Sequence, residues 1–137
     1  MHHDITVRFQ HVDAAGILYF SRAFELCHEA LEEVLEASGY ALNDVLTKGE
    51  WVMPIVHASG DYRSPMRLGD KIRITMRVES SGGSSLTFNY RMEDLSQSIR
   101  AEVKLVHVVL NATTFKSRPV PPDFLSALKG LGVVSNL

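Results

Sequence analysis

The stretch FSRAFELCHEALEEVLEASG, residues 20–39, decides the fold because its pattern is that of a long amphipathic helix. Five glutamates lie opposite the apolar stripe, and Ser38-Gly39 predicts where the helix ends. Such a helix has about five turns and a length of roughly 27 Å. In a chain of 137 residues, its apolar stripe needs a sheet to cover it. That stripe comprises Phe20, Ala23, Phe24, Cys27, Ala30, Leu31, Val34 and Leu35.

Five further segments carry the period-two or apolar pattern of β-strands. They are residues 4–9, 51–63, 71–79, 85–93 and 99–110. The Ser/Gly-rich residues 80–84 predict a turn that joins two of them into a hairpin, and a short helix is expected near residues 123–129. The prediction is one domain, residues 1–137, of the α+β class, in which an antiparallel sheet wraps around one long central helix.

Composition narrows the possible partners and compartments. The net charge of −2 and the pI near 6.3 offer no basic surface for nucleic acid. The single cysteine, Cys27, excludes an internal disulfide and makes cysteine-based zinc clusters implausible. No secretory signal is visible, and no apolar run approaches the roughly 20 residues of a membrane helix. A cytoplasmic protein without a membrane partner is expected.

A single sheet of this kind has two open edges. One sheet around one helix also leaves a face poorly covered, and pairing with a second copy would close an edge. A homo-oligomer, a dimer at least, is therefore expected.

The loop that leads into the helix carries the most informative candidate residue, Asp13. An aspartate here either caps the helix or a turn, or serves chemistry. Gly16 lets a backbone approach closely, and the aromatic residues Tyr19 and Phe20 follow directly. A carboxylate beside a helix N-terminus is placed to act as general base or nucleophile, while the first-turn N–H groups stabilise an oxyanion.

The segment MPIVHASGDY, residues 53–62, is the second candidate. On a strand, His57, Ser59 and Asp61 point to the same face. A Ser-His-Asp triad is not expected, because strand residues two apart lie roughly 7 Å from each other. A polar lining that faces a ligand or a partner subunit fits these residues better.

Other chemically versatile residues have less specific patterns. His11, His28 and His107 lie on separate elements without metal-ligand spacing, so no metal is predicted. Cys27 lies on the apolar stripe and is expected in the core. Lys116 and Arg118 would either hold a phosphate or remain solvated.

Several motifs together resemble the hotdog-fold acyl-CoA thioesterases of the 4-hydroxybenzoyl-CoA type. They are DAAGILYF at 13–20, HASGDYRSP at 57–65, LGD at 68–70 and RPVP at 118–121. Within that family, LCHEA at 26–30 and PIVHAS at 54–59 look most like the 1,4-dihydroxy-2-naphthoyl-CoA thioesterases of quinone biosynthesis.

The resemblance implies a hotdog fold with active sites at a dimer interface and dimers often paired into tetramers. It implies that Asp13 is the catalytic carboxylate and that the backbone N–H of Phe20 binds the thioester oxygen. Gly16 and Tyr19 would bind substrate beside them, and His57 and Ser59 would face the acyl group across the interface.

The same resemblance implies no cofactor, since coenzyme A is part of the substrate. Some relatives grip the nucleotide phosphates near the turn at 80–84, which is uncharged here, so Lys116 and Arg118 are the remaining candidates.

The expected activity is hydrolysis of an aromatic acyl-CoA. Relatives that act on short acyl chains often carry His where this chain has Phe20, and Tyr19, Phe24, Met53 and Ile55 would complete an apolar pocket. The alternatives are a short-chain aliphatic thioesterase, a dehydratase that uses His28 and Glu29, and a non-catalytic acyl-CoA-binding module.

Overall fold

Helix α1, Phe20–Ala37, lies against one face of a five-stranded antiparallel sheet in the computed structural model, which describes residues 2–81 and 83–134. The order of the strands across this sheet is β1-β4-β5-β6-β3, and β2 and β7 form a separate two-stranded ladder. The predicted α+β class, with an antiparallel sheet around one long helix, is confirmed. The elements are β1 His2–Thr6, α1 Phe20–Ala37, α2 Leu42–Lys48, β2 Trp51–Val52, β3 Ile55–Tyr62, β4 Lys71–Ser81, β5 Ser85–Glu93, β6 Ile99–Val108, β7 Leu110–Asn111 and α3 Pro122–Gly130.

The core lies between α1 and one face of the sheet. The apolar stripe of α1 is buried from Ala23 to Leu35, whereas Phe20 at its start is 58% exposed. Every second residue of the central strands faces the helix, as the alternation predicts. These residues are Ile72, Ile74, Met76 and Val78 on β4, Leu86, Phe88, Tyr90 and Met92 on β5, and Ala101, Val103, Leu105 and His107 on β6.

The end of α1 follows the prediction. The Ser38 hydroxyl donates to the Leu35 carbonyl at 2.8 Å, and the Tyr40 N–H donates to the same carbonyl at 2.8 Å. Gly39 has φ +85°, a left-handed conformation that glycine adopts without strain.

Two predicted strands have different bounds. The first strand, predicted at 4–9, ends at Thr6 because its partner β4 begins opposite it at Lys71. Phe9–His11 form a 3-10 turn instead. The strand predicted at 51–63 is split into β2 and β3 at Met53-Pro54, where proline has no N–H to donate to a ladder.

The last predicted strand, 99–110, is likewise divided. It ends at Val108, and Leu110 belongs to β7, which pairs with β2. The hairpin of β4 and β5 is confirmed down to the pair Ser81↔Ser85, while Gly82 of the predicted turn lies outside the described residues. Helix α2 was not predicted. No helix in the described ranges combines the length and the apolar character needed to cross a membrane.

His107 is an unusual member of this core because only 3% of it is exposed. Its Nδ1 lies 2.8 Å from the Met53 carbonyl oxygen, and the edge of its ring meets Phe88 at a centroid distance of 4.9 Å. Burial lowers the pKa of this imidazole because a charged ring would lose its hydration.

This burial predicts a pH-dependent stability. In the unfolded chain His107 takes up a proton near its ordinary pKa of about 6.5, whereas the folded protein resists protonation. The free energy of unfolding is therefore highest above that pH and falls as the pH is lowered from 7 to 5. Urea unfolding at pH 7 and at pH 5 measures this change. The free energy of unfolding should decrease less between the two pH values in His107→Phe than in the parent protein. Equal decreases in the two proteins would contradict this assignment.

Candidate active site

A tight turn holds Asp13 at the surface. Its Oδ1 accepts a hydrogen bond from the Ala15 N–H at 2.8 Å, and its carbonyl oxygen accepts one from the Gly16 N–H at 3.0 Å. The Asp13 N–H donates to the Ile17 carbonyl at 3.0 Å. Within the described residues Oδ2 makes no hydrogen bond. The turn therefore orients the carboxylate through one oxygen and leaves the other available.

Gly16 is required by the backbone of this turn. Its φ is +76°, in the left-handed region, and a Cβ placed there would meet no atom within 4 Å. The backbone of the segment after β3 approaches this glycine, since the Leu68 N–H lies 3.3 Å from the Gly16 carbonyl oxygen.

Helix α1 begins without a side-chain cap. Tyr19 stands at the N-cap position, makes no side-chain hydrogen bond there, and is followed by no acidic residue in the first turn. The first N–H groups of a helix have no intrahelical partner, so that of Phe20 is available to a ligand. A developing negative charge placed there would also be stabilised by the helix dipole.

Three contacts fix this helix start in space. The Leu18 N–H donates to the Met66 carbonyl at 2.7 Å, and the Tyr19 N–H donates to the His11 carbonyl at 2.9 Å. The Tyr62 hydroxyl, from the end of β3, donates to the Phe20 carbonyl. The loop and the first turn are therefore tied to β3 and to the segment that follows it.

A groove of about 380 Å³ brings the predicted residues Asp13, Tyr19 and Phe20 together. Tyr62 and the residues after it form the opposite wall. The rings of Tyr19 and Phe20 lie 4.9 Å apart, and both are largely exposed. The groove thus combines one free carboxylate oxygen, an uncapped helix start and an aromatic wall.

His57 and Ser59 lie elsewhere in this chain. They pair with Val106 and Lys104 of β6, which face away from α1, while the alternate residues of β3 pair with buried partners. Neither residue lines the groove with Asp13. Asp61 shares their face, and within the described part of the chain no hydrogen bond joins the three, as expected from their spacing. Substrate contact by His57 and Ser59 stays a prediction.

Lys116 and Arg118 are also remote from the groove. They follow β7, where the Asn111 N–H donates to the Lys116 carbonyl at 2.8 Å and the Arg118 N–H donates to the Val109 carbonyl at 3.0 Å. Neither residue lines the groove. Their contact with coenzyme A phosphates stays a prediction.

A second, apolar cavity of about 520 Å³ opens between α1 and the β2–β3 connection. Met53 and Ile55 line this cavity and not the groove, and Phe24 is packed against the core. The expectation of one pocket that contains Phe20, Met53 and Ile55 is therefore wrong for a single chain. His28, Leu31, Trp51, His107 and Phe115 are among its other lining residues.

Among the described residues, no three His, Cys, Asp or Glu side chains are grouped so that they could hold a metal ion. His11 accepts the Arg8 N–H at 2.9 Å through Nδ1, and His28 lies exposed on α1. Cys27 is fully buried, and burial raises the pKa of its thiol. The prediction that Cys27 belongs to the core is confirmed.

Tyr62 is the site residue that sequence reasoning missed. It lies five residues after His57 and so on the opposite face of β3, the face that looks toward α1. The alternation of side chains along the strand could have found it, because the rule that places His57 and Ser59 on one face places Tyr62 on the other.

Comparisons with known proteins agree on one family. The model of the thioesterase-like superfamily matches residues 7–128. A 1,4-dihydroxy-2-naphthoyl-CoA hydrolase of Nostoc punctiforme is 36% identical over 124 residues, which cover 90% of this chain and 83% of the relative. A 1,4-dihydroxy-2-naphthoyl-CoA hydrolase of Rippkaea orientalis is 35% identical over 126 residues, which cover 90% of this chain and 91% of the relative.

A solved structure shares the fold. The crystal structure of a 1,4-dihydroxy-2-naphthoyl-CoA thioesterase from Synechocystis superposes with a TM-score of 0.88 at 25% identity, over 96% of each chain.

Proposed function

Because the chain belongs to the thioesterase-like superfamily, we propose that it hydrolyses 1,4-dihydroxy-2-naphthoyl-CoA in the groove beside Asp13. The chain is an acyl-CoA thioesterase, as its family and relatives indicate. The naphthoyl substrate is supported by relatives of that activity at 35–36% identity over 90% of the chain.

One observation carries the assignment of the site. A carboxylate with a free oxygen and a helix start with a free N–H line one groove. Attack on a thioester carbonyl places negative charge on its oxygen, and the Phe20 N–H at the helix start would receive that charge. Neither group depends on the other for a hydrogen bond, so both remain available to substrate.

The free Oδ2 of Asp13 serves the attack. It either takes a proton from a water that adds to the carbonyl carbon, or adds to that carbon itself and forms a mixed anhydride that water then hydrolyses. In both routes the C–S bond breaks and coenzyme A leaves as a thiolate, which takes up a proton to become the free thiol. The Tyr62 contact with the Phe20 carbonyl makes Tyr62 a positioning residue, because it holds the first turn against β3.

The outer edge of the sheet at β3 supports assembly of two copies. Its exposed side chains include Ile55, Val56 and Tyr62, of which Val56 is 59% exposed. The opposite edge, β1, carries the charged Asp4 next to the polar His2 and His3, and a charge on an edge strand discourages pairing. We therefore infer that β3 pairs with β3 of a second copy.

Replacing Asp13 tests the chemistry. Asp13→Asn keeps an oxygen that accepts the Ala15 N–H but loses the basic, nucleophilic carboxylate, so the turn should persist. We expect kcat/KM for 1,4-dihydroxy-2-naphthoyl-CoA to fall by at least about 100-fold, the low end for a lost general base. The measurement is release of the coenzyme A thiol.

Asp94→Asn is the matched control for this substitution. Asp94 also accepts the N–H two residues on, from Ser96 at 2.9 Å, but lies outside the groove. Hydrogen bonds from Ser96 and Ser98 lower the pKa of Asp94 to about 2, so the control costs stability rather than activity. Activity of Asp13→Asn within threefold of the parent would show that Asp13 is structural.

Self-association is the second prediction of this proposal. Sedimentation at micromolar concentration should show a dimer or a tetramer. Val56→Lys places a charge on the apolar edge and should shift the protein toward monomer with loss of activity, whereas His2→Lys on the other edge should change neither. A monomer that retains full hydrolysis would contradict an interfacial site.

The third prediction of this proposal concerns substrate preference. The aromatic wall of the groove and the apolar cavity favour flat rings over short chains through contact area. We expect kcat/KM for an aromatic acyl-CoA to exceed that for acetyl- or butyryl-CoA by about 100-fold, equivalent to about 2.7 kcal/mol. Equal or faster hydrolysis of the short thioesters would refute the aryl assignment and leave the thioesterase assignment intact.

A further inference from the structure

Gly60 occupies the interior of β3 for a reason other than its backbone conformation. Its φ lies outside the left-handed region, whereas Gly16 in the Asp13 turn has φ +76°. A glycine in a strand interior weakens the strand, because it packs no side chain and loses more conformational freedom on folding. Such a glycine often marks a place where another group approaches the strand closely. The close neighbour of Gly60 therefore identifies what this position serves.

That neighbour is the ring of Tyr62. A Cβ added to Gly60 would lie 3.1 Å from Cε2 of Tyr62 and 3.4 Å from its Cζ and its hydroxyl oxygen. The first distance is shorter than an ordinary contact between two carbon atoms. Residues two apart on a strand share a face, and Val103, which pairs with Gly60, is buried. The Tyr62 ring therefore folds back along β3, over the space that a side chain at position 60 would fill.

This direction of the ring brings its hydroxyl to the start of α1. The Tyr62 hydroxyl donates to the carbonyl of Phe20, the first residue of the helix. Both residues line the groove with Asp13. Burial raises the pKa of Tyr62, so the phenol keeps its proton and remains a donor at neutral pH. A group that displaced the ring from above Gly60 would move this donor away from the carbonyl.

The carbonyl of Phe20 belongs to the same helical turn as the N–H that we propose for the oxyanion. This turn has no side-chain cap to fix it. The thioester oxygen carries full negative charge only after attack, so accurate placement of the donor stabilises the transition state more than the bound substrate. Loss of the Tyr62 bond should therefore lower kcat and leave KM nearly unchanged.

We propose that Gly60 is a positioning residue for thioester hydrolysis, because its missing side chain makes room for the Tyr62 ring and lets the hydroxyl hold the first turn of α1. The inference rests on the proposed function and deepens it, since it assigns the placement of the oxyanion-binding turn to a position on β3 that touches no substrate. A larger residue would suit the strand better, so position 60 serves the geometry of the site at the expense of the strand.

Gly60→Val tests this assignment. Valine is a better strand former than glycine, so a loss of activity would not come from a weaker strand propensity. We expect kcat for 1,4-dihydroxy-2-naphthoyl-CoA, measured by thiol release, to fall about tenfold with KM nearly unchanged. This change corresponds to about 1.4 kcal/mol, in the range of one neutral hydrogen bond. A parental kcat in Gly60→Val would overturn the inference.

Gly130→Val is the matched control. Gly130, at the end of α3, also has an ordinary φ, and a Cβ there would meet no atom within 4 Å. It does not line the groove. This variant should keep the parental kcat, and a tenfold loss in it as well would show that the assay does not report on Gly60 specifically.

A double-mutant cycle separates the hydrogen bond from other effects of the substitution. Tyr62→Phe keeps the ring and removes the hydroxyl, so it should also lower kcat about tenfold. Because the bond is then already lost, Gly60→Val should lower kcat by less than about twofold in the Tyr62→Phe protein. Independent losses that multiply to about 100-fold would overturn the inference.

The carbonyl ¹³C resonance of Phe20 gives a readout that needs no turnover. It reports the hydrogen bonds that this carbonyl accepts, and Tyr62→Phe should move it by removing one of them. Gly60→Val should move it in the same direction, whereas Gly130→Val should not. An unchanged Phe20 resonance in Gly60→Val would refute the displacement of the hydroxyl.

If Gly60→Val fails to fold, a smaller residue at position 62 still decides. Tyr62→Leu removes the ring atoms that a Cβ at Gly60 would meet. In that protein Gly60→Val should leave the Tm unchanged or raise it, since the better strand former then meets no obstacle. An equal loss of stability in the parent and in Tyr62→Leu would show that the glycine serves something other than Tyr62 and would overturn the inference.

Failure of this inference differs from failure of the proposed function. Absence of thiol release by the parent protein would refute the proposed function, and the Phe20 resonance would still report on Gly60. Full activity of Gly60→Val with an unchanged resonance would refute only the role of Gly60.

Discussion

The packing of the α1 stripe on one face of the sheet is the constraint on which the rest of this structure depends. Burial from Ala23 to Leu35 fixes the helix antiparallel to β3, with its start at the Tyr62 end and its later turns over the β2–β3 connection. Because Phe20 lies beyond the buried stripe, the first turn emerges from the core beside the loop that carries Asp13. The groove and the apolar cavity are therefore two ends of one helix–sheet interface.

The start of α1 lacks the side-chain cap that stabilises many helices. A Ser, Thr, Asp or Asn at the N-cap typically contributes about 1 kcal/mol, and Tyr19 supplies no such contact. Packing against the sheet and the bond from Tyr62 hold the turn instead. The Arg22 N–H, which a cap could also occupy, donates to the Tyr19 carbonyl at 2.9 Å. The N–H groups of Phe20 and Ser21 before it have no intrahelical partner, and such a helix start favours negative charge.

Much of this arrangement was predictable because local periodicity determines it. The spacing of apolar residues in α1 and the alternation in β4 and β5 each specify one buried face, and the Asp13-to-Phe20 spacing places a carboxylate next to a helix start. Periodicity did not reveal which face of β3 looks toward α1, because this edge strand is exposed on nearly all its residues. It also gave no distance between Phe20 and Met53, which depends on β3 lying at the sheet edge next to β6. The break at Pro54 and the short helix α2 depend on the same tertiary context.

The distance between the Asp13 turn and the apolar cavity within one chain has an evolutionary consequence. Substitutions at sites more than about 7–10 Å apart that share no partners usually have additive effects on stability. A substitution near Met53 or His107 should therefore change stability by about the same amount whatever residue stands in the Asp13 turn. Evolution can alter one end of the helix–sheet interface without a compensating change for stability at the other.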